Sequence, residues 1–317
     1  MSSPMDASST RMNATEIRAS VSLASIFGLR MLGLFLILPV FAIHAKSLPG
    51  GDNATLVGLA MGMYGLTQAI GQIPFGIASD RHGRKRIIII GLLLFIAGAL
   101  IASVDTHILW VIVGRAVQGA GAVSAAVTAL IADSTRDEHR TKAMALVGGS
   151  IGLTYAASLV MSPLMYAAIG MSGMFLFVAA LAAIAIFIVV FVTPAAPPRP
   201  PEQVSFVDVL RDGELMRMNF GVFALHAIQM SMFVVLPNAM VGAAGMPVSE
   251  HWKIYLPVVL ASFVLMLPPI FLGEKRGRMK HVFVTAIGLL LLVEIGLRAA
   301  IVQSALSFQL VVMLLLA

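Results

Sequence analysis

Cysteine is absent from this 317-residue chain, which excludes a disulfide framework, thiolate catalysis and cysteine-ligated metal. Charge is scarce as well: Asp, Glu, Lys and Arg make up 11% of the residues, where a soluble domain carries about a quarter. No glycine-rich nucleotide-binding loop occurs, so ATP-driven work by this polypeptide alone is not expected. The one match to a hydrolase elbow, Gly148-Gly149-Ser150-Ile151-Gly152, lies inside an apolar run with no strand before it. It lacks the strand-to-helix turn that exposes a nucleophilic serine.

What the chain has instead is long apolar runs, with 59% of its residues hydrophobic. A helical span needs about 20 apolar residues to cross a hydrocarbon core of ~30 Å. Nine stretches qualify: Val21–His44, Ala54–Ala78, Ile87–Val104, Ile108–Ala132, Ala143–Ala168, Gly173–Thr193, Asn219–Val241, Lys253–Gly273 and Val282–Ile301. Leu306–Ala317 begins a further run, but as helix it rises only about 18 Å. The chain is therefore expected to stop within the membrane, truncated at its carboxy end.

The net charge of +6 needs no nucleic acid to explain it. Sixteen of the 21 Lys and Arg fall in the amino-terminal tail and in alternate loops, around Arg84, Arg140, Arg211 and Arg278, against three (Lys46, Lys253, Arg298) on the other side. Membrane proteins keep Lys and Arg in cytoplasmic loops. The tail is thus expected to be cytoplasmic, and the protein multi-pass in the inner membrane, with the bilayer as its principal partner.

The second half echoes the first. Asp80-Arg81-His82-Gly83-Arg84-Lys85-Arg86 recurs as Glu274-Lys275-Arg276-Gly277-Arg278-Met279-Lys280 at an offset of 194, and Phe35-Leu36-Ile37-Leu38-Pro39 as Phe233-Val234-Val235-Leu236-Pro237 at an offset of 198. Span n resembles span n+6. Internal repeats of this kind are typical of secondary transporters, whose substrate site lies between the repeats. A receptor would lack the echo, and an intramembrane enzyme would need a serine–base or metal-binding pair that is not found. The expected organisation is a tail (1–20), a six-helix bundle (21–193), a proline-rich linker (194–218) with a short surface helix over Phe206–Arg211, and a second, incomplete bundle (219–317).

Gly76-Ile77-Ala78-Ser79-Asp80-Arg81-His82-Gly83-Arg84-Lys85 resembles the loop 2–3 signature of the major facilitator superfamily. Arg115-Ala116-Val117-Gln118-Gly119-Ala120-Gly121, and Leu32-Gly33 with Pro39-Val40, are similar to fourth- and first-helix motifs of its drug:proton antiporter branch. In the fifth helix the branch's Gly-Pro-x-x-Gly-Gly is replaced by Ser162-Pro163-Leu164-Met165-Tyr166. Tyr64 through Gly76, Arg140–Met144 and His251-Trp252-Lys253 resemble the YajR-type antiporters of that branch. The resemblance implies an all-α transmembrane fold of two six-helix bundles. It also implies alternating access and proton-coupled export of small amphipathic compounds by a monomer that uses the proton gradient and no cofactor or metal. A metabolite uniporter or symporter of the same fold is the alternative.

The resemblance makes Gly76, Asp80, Arg81, Gly83, Arg84 and Lys85 a conformational latch, with Asp133 at the same end of the fourth span. An ionisable residue inside a span costs about 2.5–3.5 kcal/mol on insertion scales, so each one requires a reason. Arg115 could control proton exchange or pair with a buried carboxylate, Arg30 could serve proton exchange, binding or gating, and either could hydrogen-bond neighbouring helices. Glu294 is the only deep carboxylate in these spans. It can carry a proton, or pair with Arg298 one turn on. Tyr64, Gln68 and Gln72 share one face of the second span, and His226 and Gln229 one face of the seventh with Asn238 beyond. Either set could line a cavity or bond helices together. Gly58-x-x-x-Gly62 and Gly148-x-x-x-Gly152 are read as close helix contacts.

Overall fold

The structure, a computed structural model, describes residues 12–194, 211–242 and 245–302. Among them every regular element is helical. The helices are α1 (Ala14–His44), α2 (Ala54–His82), α3 (Arg84–Ala102), α4 (Ile108–Ala120), α5 (Ser124–Ser134), α6 (Asp137–Phe187), α7 (Gly213–Gly242), α8 (Trp252–Lys275) and α9 (Met279–Val302). Six helical stretches among the described residues are long and apolar enough to cross a membrane.

Boundaries depart from the hydropathy reading where local chemistry overrides it. α1 begins well before Val21 because Asn13 and Glu16 form a capping box: each side chain accepts from the other's backbone N–H at 2.8 Å. That pairing satisfies donors a helix start leaves unpaired. The fourth span is broken into α4 and α5 at Gly121–Val123. α6 is two helices that meet at Gly170, whose φ of 65° and ψ of −177° are not helical, so the fifth and sixth spans stay distinct there; the second ends in a π turn over Ile188–Val192. α7 begins at Gly213, inside the expected linker. Most of that linker, its expected surface helix as far as residue 210, and Leu306–Ala317 lie outside the described residues.

Glycine decides how closely α2, α3 and α4 approach. A Cβ on Gly119 would collide with the Tyr64 carbonyl of α2, one on Gly121 with the Gly91 carbonyl of α3, and one on Gly114 would lie 2.6 Å from the Ala102 nitrogen. The glycines of the Arg-x-x-Gln-Gly-x-Gly segment are therefore backbone contact points. Gly58, Gly62, Gly148 and Gly152 are not: nothing described lies within 4 Å of where their Cβ would sit. Among the described residues those two motifs make no close helix contact. Spacing alone does not say which face of a helix meets a neighbour.

Two buried apolar clusters lie one above the other along the helix axes. The cluster nearer the basic loops draws Leu23, Ile88, Leu130, Val147 and Val189 from the first half alone. The other joins both halves, with Phe41 and Phe175 packed in one body with Phe233, Leu236 and Tyr255. Among the described residues the halves thus meet at the end away from the basic loops.

Candidate functional site

At the basic end, Gly83 ends α2 with φ +92°, a backbone conformation that favours glycine. The chain reverses there directly into Arg84. The Arg84 guanidinium pairs with Asp80 one turn back and with Asp133 of α5 (Nε to Oδ2, 3.0 Å), and donates to Ser79 Oγ at 2.7 Å. Three of the expected latch residues are thus brought together. Lys85 instead reaches the Thr193 carbonyl after the π turn. Arg81 is exposed, and Gly76 lies inside α2 in ordinary contact with Ala125.

Beside this loop, Glu16 accepts from the Arg136 backbone N–H and Nε at 3.0 Å each and from Nη2 at 3.1 Å. The Arg136 side-chain hydrogen bonds, and then backbone donors, hold the Glu16 carboxyl down at about 2 against burial, which opposes them. A depressed carboxyl stabilises the fold fully above its unfolded value and loses that contribution as pH falls toward the folded one. The thermal stability advantage of the native chain over Glu16→Gln is accordingly expected to be constant from pH 7 to about 5. It should shrink below about 4.5; an advantage that varies between pH 7 and 5 contradicts this.

Within the first bundle, Tyr64 is buried between two arginines. The Arg115 guanidinium sits 4.9 Å from its ring centroid and that of Arg30 5.8 Å. Arg30 also lies 5.9 Å from Phe95 and donates to Ser124 Oγ at 2.7 Å, which Gln68 Nε2 approaches at 3.4 Å. Both arginines are 2% exposed, and among the described residues neither has a carboxylate partner. Aromatic faces provide part of the counter-charge, a contact that strengthens when desolvated. Among the described residues Arg30 Nε and Nη2, Tyr64 Oη and Gln72 Oε1 are buried with no hydrogen-bond partner.

Between the two halves lies a cavity of about 430 Å³ lined by Tyr155 and Leu159 of α6, Gln229, Phe233 and Pro237 of α7, Tyr255 and Ser262 of α8, and Leu290 and Val293 of α9. Its wall is mostly apolar, with a few hydroxyl and amide groups and, among the described residues, no charged one. Of the expected cavity residues, Gln229 is on this wall. Tyr64, Gln68 and Gln72 lie in the first bundle. His226 is exposed and bonds the Val222 carbonyl of its own helix, and Asn238 likewise bonds that of Val234.

Glu294 follows Val293 on α9 and shares a helical face with Leu290 and Leu297. Its Oε1 is buried without a hydrogen-bond partner, and it forms no ion pair with Arg298 among the described residues.

One polar cluster has no signal in the sequence. At the end away from the basic loops His44 Nε2 meets Asp105 Oδ1 at 2.9 Å and its Nδ1 meets Tyr166 Oη at 3.1 Å, with Asp105 at φ 49°. Its members come from three segments far apart along the chain. The Asn13–Glu16 capping box, by contrast, is a spacing that can be read directly.

Residues 23–317 match the family described as Major Facilitator Superfamily. The chain is 42% identical over 293 residues to the inner membrane transport protein YajR of Escherichia coli (strain K12), covering 90% of this chain and 64% of that protein. It thus spans just under two thirds of that relative. The multidrug resistance protein MdtH of Yersinia enterocolitica is 29% identical over 259 residues, which cover 79% of this chain and 63% of that protein. Among solved structures, a bacterial homologue of the human lysosomal transporter Spinster matches with TM-score 0.70 at 15% identity, over 96% of this chain and 72% of that one. The xylose transporter XylE from E. coli matches with TM-score 0.69 at 14% identity, over 96% and 83%. At such identities the two structures speak for the fold alone.

Proposed function

Because this chain belongs to the major facilitator superfamily, we propose that it works as a secondary active transporter, exporting small amphipathic compounds by alternating access in exchange for inward-moving protons. The observation that carries the reading is the cavity of about 430 Å³ between the two halves, with Glu294 on the adjoining face of α9, its Oε1 buried and without a hydrogen-bond partner among the described residues. Its volume is in the range of small-molecule sites, and its apolar wall with a few hydroxyl and amide groups suits amphipathic ligands. A sugar or similar metabolite would ask for more hydrogen-bonding groups than Tyr155, Gln229, Tyr255 and Ser262 supply. The 29% identity to a multidrug resistance protein supports the same class, and the family is one of transporters rather than enzymes.

In this reading the basic end is cytoplasmic, which the distribution of Lys and Arg supports, and the Asp80–Arg84–Asp133 cluster is the latch. Rocking of one bundle against the other opens the cavity to each side in turn, and a charge cluster at one end biases that equilibrium. In the present arrangement the described halves touch at the outer end, and the latch residues contact only their own half.

The test is proton release from the purified chain in liposomes on addition of lipophilic dyes. Substrate-dependent release, slowed by Asp80→Asn without loss of membrane insertion, is the expected result. Substrate movement with no linked proton flux would favour a uniporter. A single cysteine placed beside Arg84 should be labelled from the cytoplasmic side only.

A further inference from the structure

On α1, Ala14, Ile17, Arg18, Val21, Ser22 and Ser25 follow helical spacing and share a face. With Ile188 and Val192 of the π turn they wall an open groove of about 460 Å³ at the basic end of the first bundle. Ile17 and Val21 are 48% and 51% exposed there, as aliphatic side chains facing lipid would be. Ser22 and Ser25 spend their hydroxyls on α1's own carbonyls, so this part of the wall asks for no polar ligand.

The mouth of the groove is cationic. Arg18 donates Nε to the Val192 carbonyl at 2.7 Å and Nη2 to the Phe191 carbonyl at 3.2 Å, which fixes the guanidinium plane and leaves Nη1 unspent. Lys85 donates to the next carbonyl, Thr193, and an ammonium has two further N–H donors. The two cations meet successive carbonyls, Val192 and Thr193; burial first, and then the charge of Arg18, hold the Lys85 ammonium below its ordinary range. A helix carboxy end contributes only about half an elementary charge in compensation. Glu16, the nearest acid in sequence, is buried and committed to Arg136. Neither cation has a carboxylate partner among the described residues. Paired cations above an aliphatic groove complement a phosphate carried on acyl chains.

We propose that this groove binds an anionic phospholipid, with the phosphodiester at Arg18 and Lys85 and one acyl chain along Ile17, Val21, Ile188 and Val192. Assigning it to the cytoplasmic leaflet rests on the orientation proposed above. The binding does not, and the test reads retention in detergent, where orientation plays no part.

The purified chain, equilibrated with equal amounts of phosphatidylglycerol and phosphatidylcholine, is examined by native mass spectrometry. Preferential retention of phosphatidylglycerol is expected. Arg18→Gln should lower that preference about fivefold, the effect of one basic residue near an anionic lipid surface, and Arg18→Lys should restore most of it. Val21→Trp, which fills the groove and leaves both cations, should lower phosphatidylglycerol retention. Excess inorganic phosphate should not displace the lipid. Equal retention of the two lipids by the native chain, unchanged preference in Arg18→Gln, indifference to Val21→Trp, or displacement by phosphate alone would each overturn the site. If Arg18→Gln does not fold, Arg18→Lys and Val21→Trp still decide it.

Discussion

Gly119→Leu is expected to remove folded protein altogether. The atoms a side chain would meet are the Tyr64 carbonyl and Thr67 Oγ1 on α2; the first is backbone and cannot rotate away. Overpacking a tight contact costs about 1–3 kcal/mol when side chains can adjust, and more when they cannot. Against a total stability of roughly 5–15 kcal/mol, a backbone clash that costs well beyond about 3 kcal/mol uses up most of the margin at the low end of that range. Moving α2 from α4 would also separate Tyr64 from Arg115, now 4.9 Å from its ring centroid, and leave the buried guanidinium without the ring beneath it. Gly58→Leu, on an exposed face of the same α2 with nothing within 4 Å, should express and run as a monodisperse peak in detergent. Similar behaviour of the two variants in size-exclusion chromatography would refute the contact.

Glu294→Gln is expected to abolish proton-driven transport while keeping substrate exchange and stability. The amide reproduces the shape of a protonated carboxyl but cannot release a proton. If Glu294 were instead half of a structural ion pair with Arg298, removing it would strand a charge and destabilise the protein. In that case the double change Glu294→Gln with Arg298→Gln would recover the lost stability. Since Oε1 is buried without a partner, the single change should cost no stability, and its thermal midpoint in detergent should match or exceed the native one. Full coupling in Glu294→Gln would move the proton site elsewhere, and a lowered midpoint with coupling intact would restore the ion-pair reading.

The two candidate regions differ in how legible they are. Gly83 and the Asp80–Arg84 pair could be read from one loop, because a reversal between helices and an i, i+4 pair are local geometry. The meeting of Arg84 with Asp133, or of Arg115 and Arg30 on either side of Tyr64, joins segments distant along the chain. No spacing rule connects them. The same holds for the cavity: a polar stripe on a helix, such as Tyr64, Gln68 and Gln72, shows that one face is special. It does not show whether that face meets another helix, lipid or an open space.

Hydropathy and the alternation of Lys and Arg determine by themselves that this is an all-helical, multi-pass membrane protein, and the internal echo makes a repeated architecture the expectation. Each of these is a property of segments about twenty residues long, imposed by the bilayer whatever the neighbours are. Among the described residues, the tertiary structure alone decides which glycines are contact points, that the buried arginines lie against aromatic rings rather than acids, that Glu294 forms no ion pair with Arg298, and that the cavity opens between Tyr155, Gln229 and Tyr255. These depend on how helices rotate about their axes and how closely they approach. Packing of whole surfaces sets those two quantities, and no single segment encodes them.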